Sequence, residues 1–414
     1  MLVTLLSLAL AAPAPLRLAE LLREARDKNP DLKAAQARAA SSSSSVSPAG
    51  ALEDPMLMVQ LWNAPLDLSN VPVMVQLSQA LPLGGKRAAR RDAASADAGA
   101  ARANAVVQLH ELEVQVAQAY FDLFLADRTQ EIDDELDRLL QALLLASEAR
   151  VSTGKGEQVE LLRAQGAVVA LRSDRETAKD KRSSAWARLS ALLDRDPAAP
   201  AGATTEPGLL TNLPPVAALR DRAVRERPEL EAARAGIAGA EAQARLAHAA
   251  SVPDIVPSLG LMHTFRGTGQ TNFLFAGVQG NLPIFGGSKN EPRISGANSQ
   301  AQAMRDAEHA ARNRVAAEVA EAYAHVVNED HQIAIHHELI PLARGAAESA
   351  GHSYAAGRTG FTMVIDSVRD LRLHELELAQ HLAMYEQRLA ELQRAVGGDI
   401  GASQAAEAGH AAGH

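Results

Sequence analysis

The chain is written twice. LPLGG (81–85) and LPIFGG (282–287) mark the same point in two copies of one pattern about two hundred residues apart, and three further matches keep their order around them. NPDLKAAQAR (29–38) corresponds to RPELEAARAG (227–236), with Pro30 and Pro228 separated by 228 − 30 = 198. VAQAY (116–120) corresponds to VAEAY (319–323) and STGKG (152–156) to AAGRT (355–359), both at an offset of 203. One such match could arise between Ala-rich helices by chance, but four in order imply two copies of a whole series of elements. That argues for a two-repeat architecture and against an enzyme built round one site.

Each copy follows the same course: a short helix, two short alternating segments, then two very long helices. The first copy has helical periodicity over 16–43, ended by the serine run 41–45 with Pro48 and Gly50, which reads as a solvated helix end or loop. In 56–62, Leu57, Val59 and Leu61 share a face; in 71–79, Val71, Val73, Val75 and Leu77 oppose Met74, Gln76 and Ser78. The second copy alternates Leu259, Leu261 and Phe265 with Ser258, Gly260 and Thr264, turns at 266–271, and then alternates Leu274, Ala276 and Val278 with Gly277 and Gln279. Period two is the mark of a strand with one apolar face. Two isolated hairpins are marginal in water, and in a bilayer their open edges would leave backbone groups unsatisfied. Three chains of four strands, 3 × 4 = 12, would close a barrel.

Past each LP mark the period becomes helical. From 86 to 149, Leu109, Leu112, Val116, Ala119, Leu123 and Ala126 recur at spacings of three and four, followed by Ile132, Leu136, Leu139, Leu143 and Ala146. Roughly sixty residues at about 1.5 Å each make a rod of about 90 to 100 Å, too long for a compact domain. The chain turns at 151–157 and returns through Val159, Leu162, Val169, Trp186, Leu189 and Leu193. The second copy runs outward over 295–349, turns at 357–361 and returns through Val364, Ile365, Val368, Leu371 and Leu378. The expected organisation is therefore a signal segment at 1–11 and a first repeat at 12–193, with its β-hairpin at 55–80 and helical hairpin at 84–193. A Pro- and Gly-rich linker at 194–215 leads to a second repeat at 216–396, with hairpins at 257–282 and 290–396, and a disordered tail at 397–414.

Composition narrows the class. Aromatic residues are 3% of the 414, as in long helices packed side by side. A net charge of −9 argues against nucleic acid as a partner. With 0 Cys, disulfides, thiolate metal sites, thiol nucleophiles and a lipid-bearing Cys are excluded. The N-terminal MLVTLLSLALAAPAP is of secretory type, with an A-x-A site at Ala9, Leu10 and Ala11, although its first basic residue is Arg17. No later stretch has the eighteen or so apolar residues of a spanning helix, so a membrane crossing would have to use strands.

A two-repeat chain of strand hairpins and long helical hairpins, with LPLGGK and LPIFGG where strand becomes helix and glycine turns at the helical tips, resembles the TolC family of outer-membrane efflux channels. The likeness covers about 16–396. It implies a mainly α fold with a small β part: a homotrimer whose 12-stranded β-barrel sits in outer-membrane lipid and continues as a periplasmic α-helical barrel. Implied partners are a periplasmic adaptor and an inner-membrane pump of the resistance-nodulation-division type, with no cofactor. The EDP run at 53–55 and the short hairpin loops are more similar to the heavy-metal branch than to the drug-efflux one. The resemblance also assigns a periplasmic constriction to the start of the last helix, where Asp366 is acidic and the position three residues earlier is Met363. Arg163 occupies the matching place in the first repeat (366 − 163 = 203), which suggests an Asp366–Arg163 pair holding the tips together. Adaptor docking falls to the tip turns Gly154, Lys155, Gly156, Gly357, Arg358, Thr359 and Gly360, and the strand-to-helix swings to Pro82, Gly84, Gly85, Pro283, Gly286 and Gly287.

Other chemistry is weakly signalled. Of 13 histidines, His331, His336 and His337 crowd one helix, His374 and His381 share a face, and the tail ends GHAAGH. There is no HExxH, and the expectation is solvated or packed histidines and no metal site. No GxSxG is present for a serine nucleophile, and Gly84–Gly85 lack the lysine and hydroxyl spacing of a phosphate loop. The main alternative to a duct is a periplasmic coiled-coil scaffold or adaptor-like protein without a pore, but an adaptor would interrupt its helical hairpin with a small β domain.

Overall fold

The computed structural model describes residues 15–61, 71–210, 212–266, 269–282 and 286–401. The expected signal segment, Pro283 and the tail beyond 401 lie outside them. The elements run α1 (Leu18–Lys28), α2 (Pro30–Ser44), α3 (Val46–Ala49), β1 (Met56–Leu61), β2 (Val73–Ser78), α4 (Lys86–Ser152), α5 (Gln158–Leu192), α6 (Val216–Glu226), α7 (Pro228–Ala249), β3 (Ile255–Arg266), β4 (Gly269–Gly280), α8 (Gly286–Ala355) and α9 (Phe361–Val396). The order of the two copies is thus the expected one. No helix among the described residues is long and apolar enough to cross a membrane.

Several boundaries differ from the sequence reading. The helix expected over 16–43 breaks at Asn29, whose Oδ1 accepts from the Leu32 N–H at 3.0 Å and so caps α2, with Pro30 at its first position. The serine run is helical up to Ser44, and there Ser43 and Ser44 turn their hydroxyls back to donate to the Ala39 and Ala40 carbonyls instead of leaving the helix. The turn expected at 266–271 is shorter: strand pairing continues to Arg266 opposite Gly269, and the polar residues beyond position 262 pair across the ladder, His263 Nδ1 lying 2.7 Å from Asn272 Oδ1. The second outward helix is longer at both ends than 295–349. The glycines after Val396 stop the helix without freeing the chain: Gly397 is left-handed at φ +96°, Gly398 N–H bonds the Gln393 carbonyl at 2.9 Å, and Ile400 is buried.

The chain divides into two compact units, and neither is a repeat. One takes the described residues up to Lys33, Gln108–Arg227 and the chain from Val315; the other takes Ala34–Val107 and Pro228–Arg314. Each therefore combines the corresponding parts of both copies.

In the second unit the two hairpins are not isolated. They join through β2–β3 into one antiparallel sheet of order β1-β2-β3-β4. Register brings Leu57, Leu77, Leu259 and Ala276 into one cross-strand row and Val59, Val75, Leu261 and Leu274 into the next, so one face is aliphatic. The opposite face carries Ser78, Gln76, Gly260, Ser258 and Gly277 among Met and Phe. Most of that aliphatic face is open to the surroundings, Leu274 and Val278 each at 74%. Gly260 has no room for a side chain, since a Cβ there would lie 2.4 Å from the Phe275 ring and 2.7 Å from the Val75 carbonyl. At the end of the sheet Leu81 bridges Ile255, and Gly84 and Gly85, at φ +71° and +80°, swing the chain into α4. Lys86 fixes that corner, donating to Asp254 and to the Val252 carbonyl, both at 2.7 Å. The second copy makes its turn differently, because Gly286 and Gly287 are already helical.

In the first unit the seam of α4 matches the expected positions from Leu112 through Ala126 and Ile132, all buried, and then shifts by one. Leu140 and Ser147 are buried, while Leu139 and Ala146 are exposed. An α-helix drifts against a strict seven-residue repeat, and this shift absorbs the drift. The returning helix α5 buries Ala164, Leu171, Ala178 and Ala185 at intervals of seven; Val159, Leu162 and Val169, expected inside, are exposed. Ala at three of these four positions lets the backbones approach closely, while Trp186, Leu189 and Leu193 are buried as expected.

Candidate functional site

The helical tips are built alike in both copies. At the first, the Lys155 N–H reaches the Arg150 carbonyl at 2.9 Å and the Gly154 N–H the Val151 carbonyl at 3.0 Å; at the second, Arg358 reaches Ser353 at 2.8 Å and Gly357 reaches Tyr354 at 2.9 Å. This paired pattern closes a helix through a left-handed residue, supplied by Gly154 at φ +72° and Gly357 at φ +70°. A side chain on Gly156 would press on Arg150, 2.9 Å away. Gly360, extended, leads into α9, and beside it the Thr359 hydroxyl is buried without a hydrogen-bond partner.

Arg150 and Tyr354 join the two tips. The Arg150 guanidinium lies 4.8 Å from the centre of the Tyr354 ring and donates to the Tyr354 carbonyl and the Lys155 carbonyl, each at 3.2 Å. The Tyr354 hydroxyl donates to Glu160 at 3.2 Å and meets Ser147 at 3.3 Å. Burial pushes this phenol above its ordinary value, so it stays a donor. Beneath them Leu140, Leu143, Leu171, Phe361, Val364 and Val368 form an apolar core drawn from both helical hairpins.

The expected Asp366–Arg163 pair does not form within the chain. Arg163 donates instead to the Thr362 hydroxyl, one turn before Asp366 on α9, and Asp366 and Met363 are exposed. The shorter Thr362 stands nearer the guanidinium and takes its place. Arg150, Glu160 and Tyr354 were missed by sequence reasoning; the signal available was a tyrosine three residues before the glycine of one turn and an arginine four residues before that of the other.

Farther along the helices, Arg372 of α9 binds the fully buried Asp133 of α4 at 2.8 Å and Asp174 of α5 at 3.0 Å. Burial raises the Asp133 carboxyl above its ordinary value against the pull of Arg372. Of the helix histidines, His331 and His337 are exposed, and His336 is buried and meets His374 and Glu377 across α8 and α9.

This arrangement has known counterparts. The pattern of the outer membrane efflux protein family matches residues 21–195 and 219–398. Protein CyaE of Bordetella pertussis is 29% identical over 252 residues, 58% of this chain and 52% of CyaE, so the chain spans about half the length of the curated relative it matches. Among solved structures, the outer-membrane channel OprN superposes with a TM-score of 0.79 at 19% identity, over 92% of this chain and 90% of OprN. CusC gives 0.79 at 20%, over 94% and 96% of the two chains. The open-state MtrE outer-membrane channel of Neisseria gonorrhoeae gives 0.77 at 21%, over 92% and 89%. Identities of this size testify to a common fold. Because the family pattern runs through both repeats, the chain belongs to the outer membrane efflux protein family.

Proposed function

We propose that the protein is the exit duct of a tripartite efflux assembly, a homotrimer that crosses the outer membrane as a 12-stranded barrel and opens at its helical tips. The observation that carries this reading is the four-stranded sheet: one aliphatic face left open, and β1 and β4 as unpaired edges. Lipid suits the face, and only ring closure satisfies the edges. Joining β4 of one chain to β1 of the next three times gives 3 × 4 = 12 strands. The exposed Val159, Leu162 and Val169 on α5 supply an apolar stripe that a neighbouring chain would cover.

Pseudo-symmetry names a contact at that junction. Within the chain, Lys86 of the first copy binds Asp254 of the second. Their counterparts are Lys289 (289 − 86 = 203) and Asp54 (254 − 54 = 200), both exposed and without an ion pair among the described residues. In a closed ring Lys289 of one protomer meets Asp54 of the next. The chain has 0 Cys, so Asp54→Cys with Lys289→Cys gives a clean test: oxidation should convert detergent-solubilised protein to covalent trimers. Monomers that never cross-link would overturn the reading.

Export energy comes from a partner pump, reached through an adaptor docked near Gly154–Gly156 and Gly357–Gly360. Opening separates the two helical hairpins at the tips and so breaks the Arg150–Tyr354 contact. Three copies of Asp366 would form an acidic ring that draws cations. If Asp366→Ala leaves single-channel conductance and its block by divalent cations unchanged, the gate is elsewhere. Cargo choice rests with the pump: this chain superposes on OprN, CusC and MtrE with TM-scores of 0.79, 0.79 and 0.77, a likeness of fold that does not select a cargo.

A further inference from the structure

His336 of α8 and His374 and Glu377 of α9 each offer one donor atom, and these atoms lie within 4.8 Å of one another. The Glu377 Oε2 atom stands 3.8 Å from His336 Nε2 and 3.2 Å from His374 Nδ1. Nitrogen and oxygen ligands at about 2.0–2.1 Å from a tetrahedral zinc ion are about 3.3 Å apart, so two edges of the triangle already approach that spacing. The third is closed by small rotations of His374 and Glu377, which are partly exposed.

His336 supplies a second and independent observation. It is 7% exposed, so its ring, with Nε2 toward Glu377, is held in place by the packing of α8 against α9. Its ring plane is supported by His381, stacked on it at 5.3 Å and itself held by Glu329 at 2.7 Å.

We propose that His336, His374 and Glu377 bind a divalent transition cation, Zn²⁺ or an ion of similar ligand preference, and thereby tie α8 to α9. Imidazole and carboxylate donors suit Zn²⁺, Ni²⁺ or Cu²⁺, and the absence of thiolate or thioether from the set disfavours Cu⁺. The sequence expectation of no metal site looked for ligands on one helix; here they come from two, 374 − 336 = 38 residues apart.

The test uses the full chain in detergent with His410→Ala and His414→Ala, which removes the tail histidines. Zn²⁺ is titrated against a chromophoric chelator at pH 7.5, and Co²⁺ is followed by its visible spectrum. The expected result is one ion per chain with Kd below about 100 μM, weakened tenfold or more by His374→Gln and by Glu377→Gln. Zn²⁺ should also raise the melting temperature of the parent and not of either variant, with unchanged helical circular dichroism confirming that both fold. Weaker binding in the parent, or equal affinity in the variants, overturns the proposal.

Discussion

Glu386 on α9 lines a pocket with Leu18, Leu22, Val114 and Leu389, and loss of water there lifts its carboxyl from 4.5 to about 7. The arginines lining the same pocket have other carboxylate partners: Arg26 binds Glu113, itself a lining residue, at 2.7 Å, and Arg394 has Glu111 at 3.9 Å. His110 and Asp399 are its other titratable neighbours. Between pH 4.5 and 7 the folded chain holds this proton more tightly than the unfolded one, so its contribution to stability falls as pH rises through that window and is fully lost above it. A rise of about 2.5 units at about 1.36 kcal/mol each amounts to about 3 kcal/mol. Glu386→Gln carries no charge and escapes the loss. With about 2.1 cal/mol/K of unfolding entropy per residue over the chain, the variant should melt about 3 °C above the parent at pH 8. At pH 4.5 the difference shrinks to about 0.4 kcal/mol, well under 1 °C. Thermal melts followed by circular dichroism at 222 nm in detergent at both pH values measure this. A gap that is the same at both pH values, or of opposite sign at pH 8, would refute the assignment of the cost to a buried charge.

Removing Arg372 should strand Asp133: Arg372→Ala is expected to cost about 3–5 kcal/mol in denaturant unfolding, and adding Asp133→Asn should recover part of it. Gly154→Ala and Gly357→Ala, each forcing a side chain into left-handed backbone, should each cost about 1–2 kcal/mol, read as a lower melting temperature and faster proteolysis at 151–157 or 357–361. Gly260→Ala, with no space between Phe275 and Val75, should disrupt the sheet and lower the yield of heat-resistant trimer on unboiled gels, while Gly287→Ala, which meets nothing, should leave it unchanged.

Repetition made most of the architecture legible. The four strands, the long helices and their glycine turns appear in sequence because period two and period 3.6 differ sharply and because each signal occurs twice. What failed to show were features that depend on partners far along the chain. Nothing in either hairpin announces the β2–β3 pairing, since register is set by the neighbour. Val159, Leu162 and Val169 looked internal because they are large, yet the buried stripe is Ala164, Leu171, Ala178 and Ala185, where close approach favours small residues. The tip contact was sought between repeat-equivalent charges, Asp366 and Arg163. It lies instead between Arg150 and Tyr354, which are not equivalent, so symmetry could not find it. The histidine cluster was hidden for a similar reason, its members being contributed by two helices.

The interleaving of the repeats also sets the order in which the chain can complete itself. Every segment of the sheet-bearing unit has been made once Arg314 exists. The helical unit, by contrast, includes α1 and the hydrogen bonds that Arg222 donates to the Asp399 carbonyl and Gln118 to the Glu391 carboxylate, far along the chain. Contacts of such large sequence separation form late and close long loops. A chain delivered from its N-terminus therefore exposes unfinished helices, with their apolar stripes uncovered, until α9 has been made. Truncations beyond about residue 390 should accordingly do more damage to the helical unit than their size suggests, while sparing the strands.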